Sequence, residues 1–213
     1  MKQKYEKIED CYGEIPFKLT KGQDTFLRKF TKGSGHWSLM GVQGSGKTTV
    51  MELLQKFYGD EVIFCASSGV ASKQLPNDMG PGTCHRIMGL SRDVSDATSL
   101  KKVPKHCQQI FSPSDLIKVV VIDEAYAMDS DHLYQVLQRV KRFNKKSTKR
   151  KAREIRVLWV GDNLQRLPIC DDDRKAELIK RYGHWLAFKS DVWKEAGFQT
   201  YVFDEVKRTS DKV

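Results

Sequence analysis

Residues 41–49, Gly41-Val42-Gln43-Gly44-Ser45-Gly46-Lys47-Thr48-Thr49, satisfy the pattern Gly-x-x-x-x-Gly-Lys-Ser/Thr at every fixed position. No other stretch narrows the possible folds so far, because the pattern works only where a strand runs through a glycine turn into a helix. The flanking residues meet that demand. His36 to Met40 reads as a short buried strand, and Val50, Leu53, Leu54 and Phe57 fall at i, i+3, i+4 and i+7, one apolar face of a helix. Glycines let the backbone curl until successive N–H groups point inward, at the positive end of that helix. The spacing therefore predicts an ATP-type phosphate site lined by Gly41, Gln43, Gly44, Ser45, Gly46 and Thr49. Lys47 would bridge the β- and γ-phosphates, with the Thr48 hydroxyl on Mg²⁺. The plainer alternative is a glycine-rich turn before an ordinary helix.

A second stretch supplies acids. Val119-Val120-Val121-Ile122-Asp123-Glu124-Ala125 is a β-branched run ending in two carboxylates, the pattern of a central parallel strand that delivers them to a sheet edge. Asp123 is the expected Mg²⁺ partner, and Glu124 is placed to polarise an attacking water. A helix is expected next, with Asp129 as its N-cap and Leu133, Val136, Leu137 and Val140 on one face, carrying packing and no chemistry. A further strand, Val157 to Val160, leads into Gly161-Asp162-Asn163-Leu164-Gln165, whose glutamine can hydrogen-bond a γ-phosphate or its water.

At 213 residues there is room for one sizeable core with a small insertion, hardly for two full domains. The five cysteines (Cys11, Cys65, Cys84, Cys107, Cys170) are odd in number and scattered, with no Cys-x-x-Cys pair, so they read as reduced thiols in an intracellular setting. No run of 18 apolar residues occurs, and the N-terminus is rich in Lys and Glu, which argues against export or membrane insertion. The net charge of +10 favours a polyanionic partner. Much of it sits between Lys141 and Arg156, where nine basic residues face one acid. Such a run can grip phosphates by releasing counterions, but with Phe143 as its sole aromatic it reads more readily as a solvated connector.

Taken together, these motifs resemble the first RecA-like domain of a superfamily 1B DNA helicase, most closely the PIF/RecD-like group that includes the phage Dda type. Leu19-Thr20-x-x-Gln23, followed by Phe26, resembles the group's adenine-recognition motif. Ala66-Ser67-Ser68-Gly69-Val70-Ala71 resembles its first DNA-contacting motif, and Gly82-Thr83-Cys84-His85 the Thr-x-His-Ser stretch that follows, although Arg86 stands where Ser is usual. Gly161-Asp162-x-x-Gln165 falls where the third motif belongs, with Gln165-Arg166-Leu167-Pro168 in place of the commoner Gln-Leu-Pro-Pro. Phe188 to Trp193, a strand near Tyr201 to Phe203, and Glu205-Val206-Lys207-Arg208 resemble the segment leading to the fourth motif.

The resemblance implies an α/β, three-layer phosphate-loop NTPase with a mostly parallel sheet over 19–213, an N-terminal extension over 1–18, and a small insertion over 91–117 that corresponds to the family's strand-separating wedge, its polar residues reading equally as a solvated surface loop. It further implies Gln23 as the adenine reader, Gln165 and Arg208 as γ-phosphate sensors, and Ser67, Ser68, Gly69, Thr83 and His85 as contacts to single-stranded DNA. The implied activity is ATP-dependent helicase or translocase action, 5′ to 3′, with Mg-ATP as fuel. A second RecA-like domain, which would complete the ATP site from across a cleft, is not expected within these 213 residues. The rival expectation is a split or truncated half that binds ATP and single-stranded DNA without unwinding. A phosphotransferase is disfavoured, since Glu124 and Gln165 suit water activation and a kinase must exclude water.

Overall fold

Five short runs pair into one sheet; four of them, at residues 37–41, 62–66, 119–123 and 156–161, are buried at nearly every position, as strands joined by helical crossovers must be, while the fifth, at 199–203, lies at an edge with Gln199, Thr200 and Val202 exposed. The computed structural model describes residues 5–16, 18–75, 82–91, 102–111, 117–146 and 154–204. In chain order its main elements are α1 (Lys21–Lys32), β1 (Trp37–Gly41), α2 (Lys47–Tyr58), β2 (Val62–Ala66), α3 (Gly69–Ser72), α4 (Cys84–Met88), α5 (Lys105–Phe111), β3 (Val119–Asp123), α6 (Ser130–Lys146), β4 (Arg156–Gly161), α7 (Asp172–Tyr182), α8 (Asp191–Ala196) and β5 (Gln199–Phe203). The strand order is β2-β3-β4-β1-β5, and every pairing among them is parallel. The fold is therefore the expected α/β phosphate-loop architecture, and its sheet is wholly parallel among the described strands.

Alternate residues of each strand feed two separate cores, the period-2 consequence of the pleat. Leu39, Val119, Val121, Leu158 and Val160 face α1 and α2, with Phe26, Phe30, Val50, Leu53, Leu54 and Phe57 packed on them. Val120, Ile122, Val157 and Trp159 face the other way, toward α4, α5 and α6, with Met88, Cys107, Leu133, Val136 and Val140. A sheet between two helical layers results. The segment expected to be an N-terminal extension joins this arrangement, because a 3-10 turn at Ile8–Glu14 buries Ile8 and Cys11 in the first core.

Register aligns the carboxyl ends. Ala66 pairs with Asp123, Met40 with Gly161 and Gly41 with Phe203, so the residues that follow β1, β2, β3 and β4 emerge along one edge. Within the span 91–117, α5 packs against α4, and its Phe111 stacks on Phe143 of α6 with ring centroids 4.4 Å apart. Residues 92–101 and 112–116 of that span, 147–153 of the basic stretch, and 205–213 with Arg208 lie outside the described residues. None of the five cysteines forms a disulfide. Among the described residues no helix is long and apolar enough to cross a membrane.

Candidate nucleotide and nucleic-acid site

The loop between β1 and α2 owes its shape to glycine. Gly46 adopts φ +87°, and a Cβ placed there would sit 2.0 Å from Gln23 Nε2, so no larger residue fits without displacing that amide. Gln23 is itself locked. Its Oε1 accepts from the Thr20 N–H at 2.9 Å while the Thr20 hydroxyl accepts from the Gln23 N–H at 3.2 Å, a reciprocal cap that starts α1. Its Nε2 donates to the Gly46 carbonyl at 3.4 Å. The expected adenine reader thus joins α1 to the phosphate loop.

Lys47 Nζ donates to the carbonyls of Gly41 at 2.5 Å and Val42 at 3.0 Å. Burial pulls its ammonium below the ordinary value, and the nearby carboxylates of Glu124, Asp123 and Asp162 push it back up. Three acids therefore converge on one cation at the ends of β3 and β4. Asp162 was not among the expected site residues. The sequence marks it only as a member of the Gly161-Asp162-x-x-Gln165 run, with no role attached, and the register of β4 beside β1 brings it here. Its Oδ1 accepts from the Leu164 N–H at 2.9 Å, which shapes the turn that carries the exposed Gln165.

Desolvation raises the Asp123 carboxyl to about 6, against a hydrogen bond from the Glu124 N–H that lowers it; the Glu124 charge adds to the rise and Lys47 offsets part of it. Glu124 has φ +51°, the sole positive value at a non-glycine position among the described residues. Such a conformation costs of order 1–3 kcal/mol for a residue with a Cβ and persists only where the surroundings enforce it. Here Gly161 helps to do so: a Cβ on it would stand 3.1 Å from the Tyr126 ring and 3.5 Å from Glu124 Cα, so the turn after β3 closes onto the end of β4 only because that side chain is missing. Tyr126 then anchors the turn from below, its hydroxyl 2.6 Å from Ser38 Oγ of β1.

The residues suit a magnesium–triphosphate group. Ser45 Oγ is buried beneath Gly41 without a hydrogen-bond partner, an orphan polar atom in a loop of inward-facing amides. Among the described residues no trio of His, Cys, Asp or Glu side chains is placed to hold a metal by itself. Mg²⁺ sites commonly take one or two protein oxygens and complete their shell with phosphates and water. Asp123 and the exposed Thr48 offer two such oxygens. Gln43 and Gly44 are exposed on the loop, and Thr49 is half-buried behind it.

The expected nucleic-acid contacts gather at the end of β2. The Ala66 N–H donates to the Gly82 carbonyl at 3.1 Å, which brings the Thr83–His85 segment beside Ser67–Gly69, and the Ser67 N–H donates to the Asp123 carbonyl at 3.0 Å. Ser68 and Thr83 each cap a helix, their hydroxyl oxygens accepting from Ala71 N–H and Arg86 N–H at 3.2 Å, which leaves both hydroxyl protons as donors. Gly69 is exposed, with no atom within 4 Å of where its Cβ would be.

His85 meets a residue the sequence gave no reason to choose. Its Nε2 lies 3.0 Å from Nε2 of His132, on the helix expected to serve packing alone. Leu133, Val136 and Val140 of α6 are buried as expected, but its first turns also carry Asp129, Asp131, His132 and Gln135 inward or across to neighbours. Asp129 is the N-cap, as anticipated, with Oδ1 accepting from the His132 N–H at 2.9 Å. The i, i+3 spacing of Asp129 and His132 was the only available hint.

A family model described as an AAA domain matches residues 18–182. Unliganded Pif1 from Bacteroides sp superposes with a TM-score of 0.73 at 19% identity, over 90% of this chain and 42% of that one. Pif1 helicase from Bacteroides in complex with ADP-AlF3 and ssDNA gives 0.75 at 19% identity, over 92% and 44%. Pif1 helicase from Candida albicans gives 0.65 at 23% identity, over 90% and 41%. At these identities the likeness establishes the fold, and the chain spans less than half the length of each of these structures.

Proposed function

The chain belongs to the AAA domain family, and on that premise we propose that it is the nucleotide-binding RecA-like portion of an ATP-dependent DNA helicase or translocase of the PIF type. One observation carries the reading most: Asp123, Glu124 and Asp162 arrive from two strand ends around Lys47, with Glu124 held in a left-handed conformation beside them. A carboxylate held this way at the mouth of a phosphate loop suits the abstraction of a proton from water.

In this reading the loop amides and Lys47 hold the phosphates of ATP, and the Lys47 ammonium balances negative charge as the γ-phosphoryl group departs. Thr48 and Asp123 would hold Mg²⁺, which when bound supplies positive charge to the phosphate oxygens. Glu124 accepts the proton of the attacking water, and Gln165 orients that water or senses the γ-phosphate. Gln23 reads adenine, a role that requires its carboxamide to exchange the Gly46 carbonyl for the base. Arg208, outside the described residues, retains its proposed γ-phosphate contact. Ser67, Ser68, Gly69, Thr83 and His85 contact single-stranded DNA. The hydrogen bond from Ser67 N–H to the Asp123 carbonyl supports communication between the two sites, since main-chain movement at one is felt at the other. Movement is proposed as 5′ to 3′ by family resemblance alone.

A second reading is a half-site that binds ATP and single-stranded DNA without turnover. It is favoured by the apolar side chains of Leu164, Leu167 and Ile169, which stand exposed beside Gln165 as surface suited to a partner domain. ATP hydrolysis by the purified chain, with and without single-stranded DNA and Mg²⁺, separates the two. DNA-stimulated turnover that vanishes in Lys47→Ala supports the complete motor site, and ATP binding with negligible turnover supports the half-site. Failure to bind ATP at all would sink both.

A further inference from the structure

The ring of His85 is held by a chain of polar contacts that reaches across three helices. Its Nε2 is 3.0 Å from Nε2 of His132, with ring centroids 4.8 Å apart and planes at 69°, which makes this an edge contact between the two nitrogens. The opposite nitrogen of His132, Nδ1, is 2.7 Å from Oδ1 of Asp129, and Asp129 is only 2% exposed. The other carboxylate oxygen of Asp129 accepts from Arg174 Nε at 3.0 Å and Nη2 at 2.7 Å, with the Cys170 thiol 3.8 Å away.

A deprotonated Nδ1 would set its lone pair against a buried carboxylate, so Nδ1 of His132 carries the hydrogen. The two Nε2 atoms, 3.0 Å apart, share one hydrogen between them, which holds His85 to a single tautomer. The same reasoning applies where a buried carboxylate orients a histidine that acts elsewhere.

Resting on the proposal that His85 contacts DNA, we infer that His132 and Asp129 are positioning residues which hold the His85 ring in one tautomer and in one orientation toward single-stranded DNA, with Arg174 fixing Asp129. The backbone around His85 gives the device something rigid to act from. Gly82 pairs with β2 at one end of α4, and at the other Arg139 of α6 donates to the Gly89 carbonyl at 3.1 Å while His106 of α5 lies 2.7 Å from the Arg86 carbonyl. The His132 contact restricts the torsions of the ring itself. Arg174 also lies nine residues beyond Gln165, so the anchor of this chain belongs to the segment that leaves the third motif.

The test uses the full chain with a fluorescein-labelled oligothymidylate followed by anisotropy, and ¹⁵N-histidine NMR without DNA. His132→Phe keeps an aromatic ring and removes both nitrogens. His132→Gln returns a carboxamide, donor and acceptor together, near the position of Nε2. His132→Phe is expected to weaken DNA binding about 10-fold and to shift His85 from a single tautomer toward a mixture of the two. His132→Gln should restore affinity to within about threefold. The double variant His85→Ala/His132→Phe should bind no more weakly than His85→Ala alone, because both remove one interaction. Wild-type affinity in His132→Phe, additive losses in the double variant, or an unchanged His85 tautomer would each overturn the inference. If His85→Ala binds DNA as wild type does, the DNA role of His85 fails, and the inference about its use fails with it. The tautomer measurement, made without DNA, tells that failure apart from a failure of the positioning contact.

Discussion

Asp123 and Asp129 stand six residues apart, both are largely withdrawn from water, and their carboxyls are displaced in opposite directions. Burial raises Asp123 to about 6, and the cation beside it, Lys47, only partly compensates. Burial also raises Asp129, but hydrogen bonds and charge from His132, together with Arg174, outweigh it and hold the group at about 2. One region leaves its charge undersolvated at the mouth of a phosphate loop, and the other surrounds its charge with donors. On the proposed reading the undersolvated carboxylate is the one offered to Mg²⁺, and the one surrounded by donors stays ionised to orient a histidine. The two ends of the β3–α6 connection are therefore built by different rules, and substitutions should separate them.

The largest expected effect lies at the strained end. Glu124→Gln keeps the shape of the side chain and removes its basicity, so DNA-stimulated phosphate release should fall by about 10²–10⁴-fold while ATP still binds. Steady-state turnover beside equilibrium nucleotide binding checks this. A loss of both in parallel would point to a role in binding and break the assignment of a base.

Asp123→Asn should show the cost of the undersolvated charge directly. An acid whose folded pKa is raised stabilises the fold only below its unfolded value, and that contribution is lost as pH rises through the folded value. For Asp123 the loss runs from about 4 to about 6 and amounts to about 3 kcal/mol at neutral pH. Asparagine preserves the oxygen that accepts the Glu124 N–H and escapes the penalty. The variant should therefore gain up to about 3 kcal/mol in urea unfolding at pH 7, less at pH 4, while its Mg²⁺-dependent turnover collapses. A destabilised variant at pH 7 would mean that Asp123 is satisfied by contacts within the protein, and the contrast with Asp129 would dissolve.

Asp129→Asn should move the other way. A depressed pKa contributes stability above the unfolded value, and this is lost as pH falls through the folded one, here between about 5 and 2. The upper bound is about 2 kcal/mol at neutral pH. Asparagine can still cap α6, so the loss reports the charge and not the cap. Urea midpoints from pH 7 to pH 2 should converge for wild type and variant at the acid end. Parallel curves would instead assign the difference to the cap.

The two regions also differ in how far the sequence discloses them. The phosphate loop and the acids after β3 lie within contiguous runs whose glycines and β-branched residues dictate local backbone, so a strand, turn and helix follow from neighbours alone. Asp162 stands in the legible Gly161-Asp162-x-x-Gln165 run, but its approach to Lys47 needed the lateral register of β4 on β1, which no local pattern encodes. The His85–His132 contact spans 47 positions and the Arg174–Asp129 contact 45, and each depends on how α4, α6 and α7 pack on one face of the sheet. Periodicity found the buried stripe of α6 correctly, but it reads only the apolar residues and is silent about polar ones at the same helix's start. The burial of Ile8 and Cys11 was missed for a similar reason: a 3-10 turn has no sustained period to detect.

The smallest expected effect asks which partner keeps Asp129 charged. Arg174→Lys retains a cation on α7 but replaces two converging guanidinium nitrogens, at 3.0 and 2.7 Å from the same oxygen, with a single ammonium. Its neighbours are unaltered, and His132 still faces the other carboxylate oxygen at 2.7 Å. Because the contribution of His132 to the low value exceeds that of Arg174, the cost should be at most about 1 kcal/mol, and the acid unfolding limb should keep most of its slope. Urea unfolding at pH 7 and pH 3 measures both quantities. A loss as large as that of Asp129→Asn would transfer the burden from His132 to Arg174, making the anchor on α7, and not the histidine pair, the element that sets this region apart from the nucleotide end.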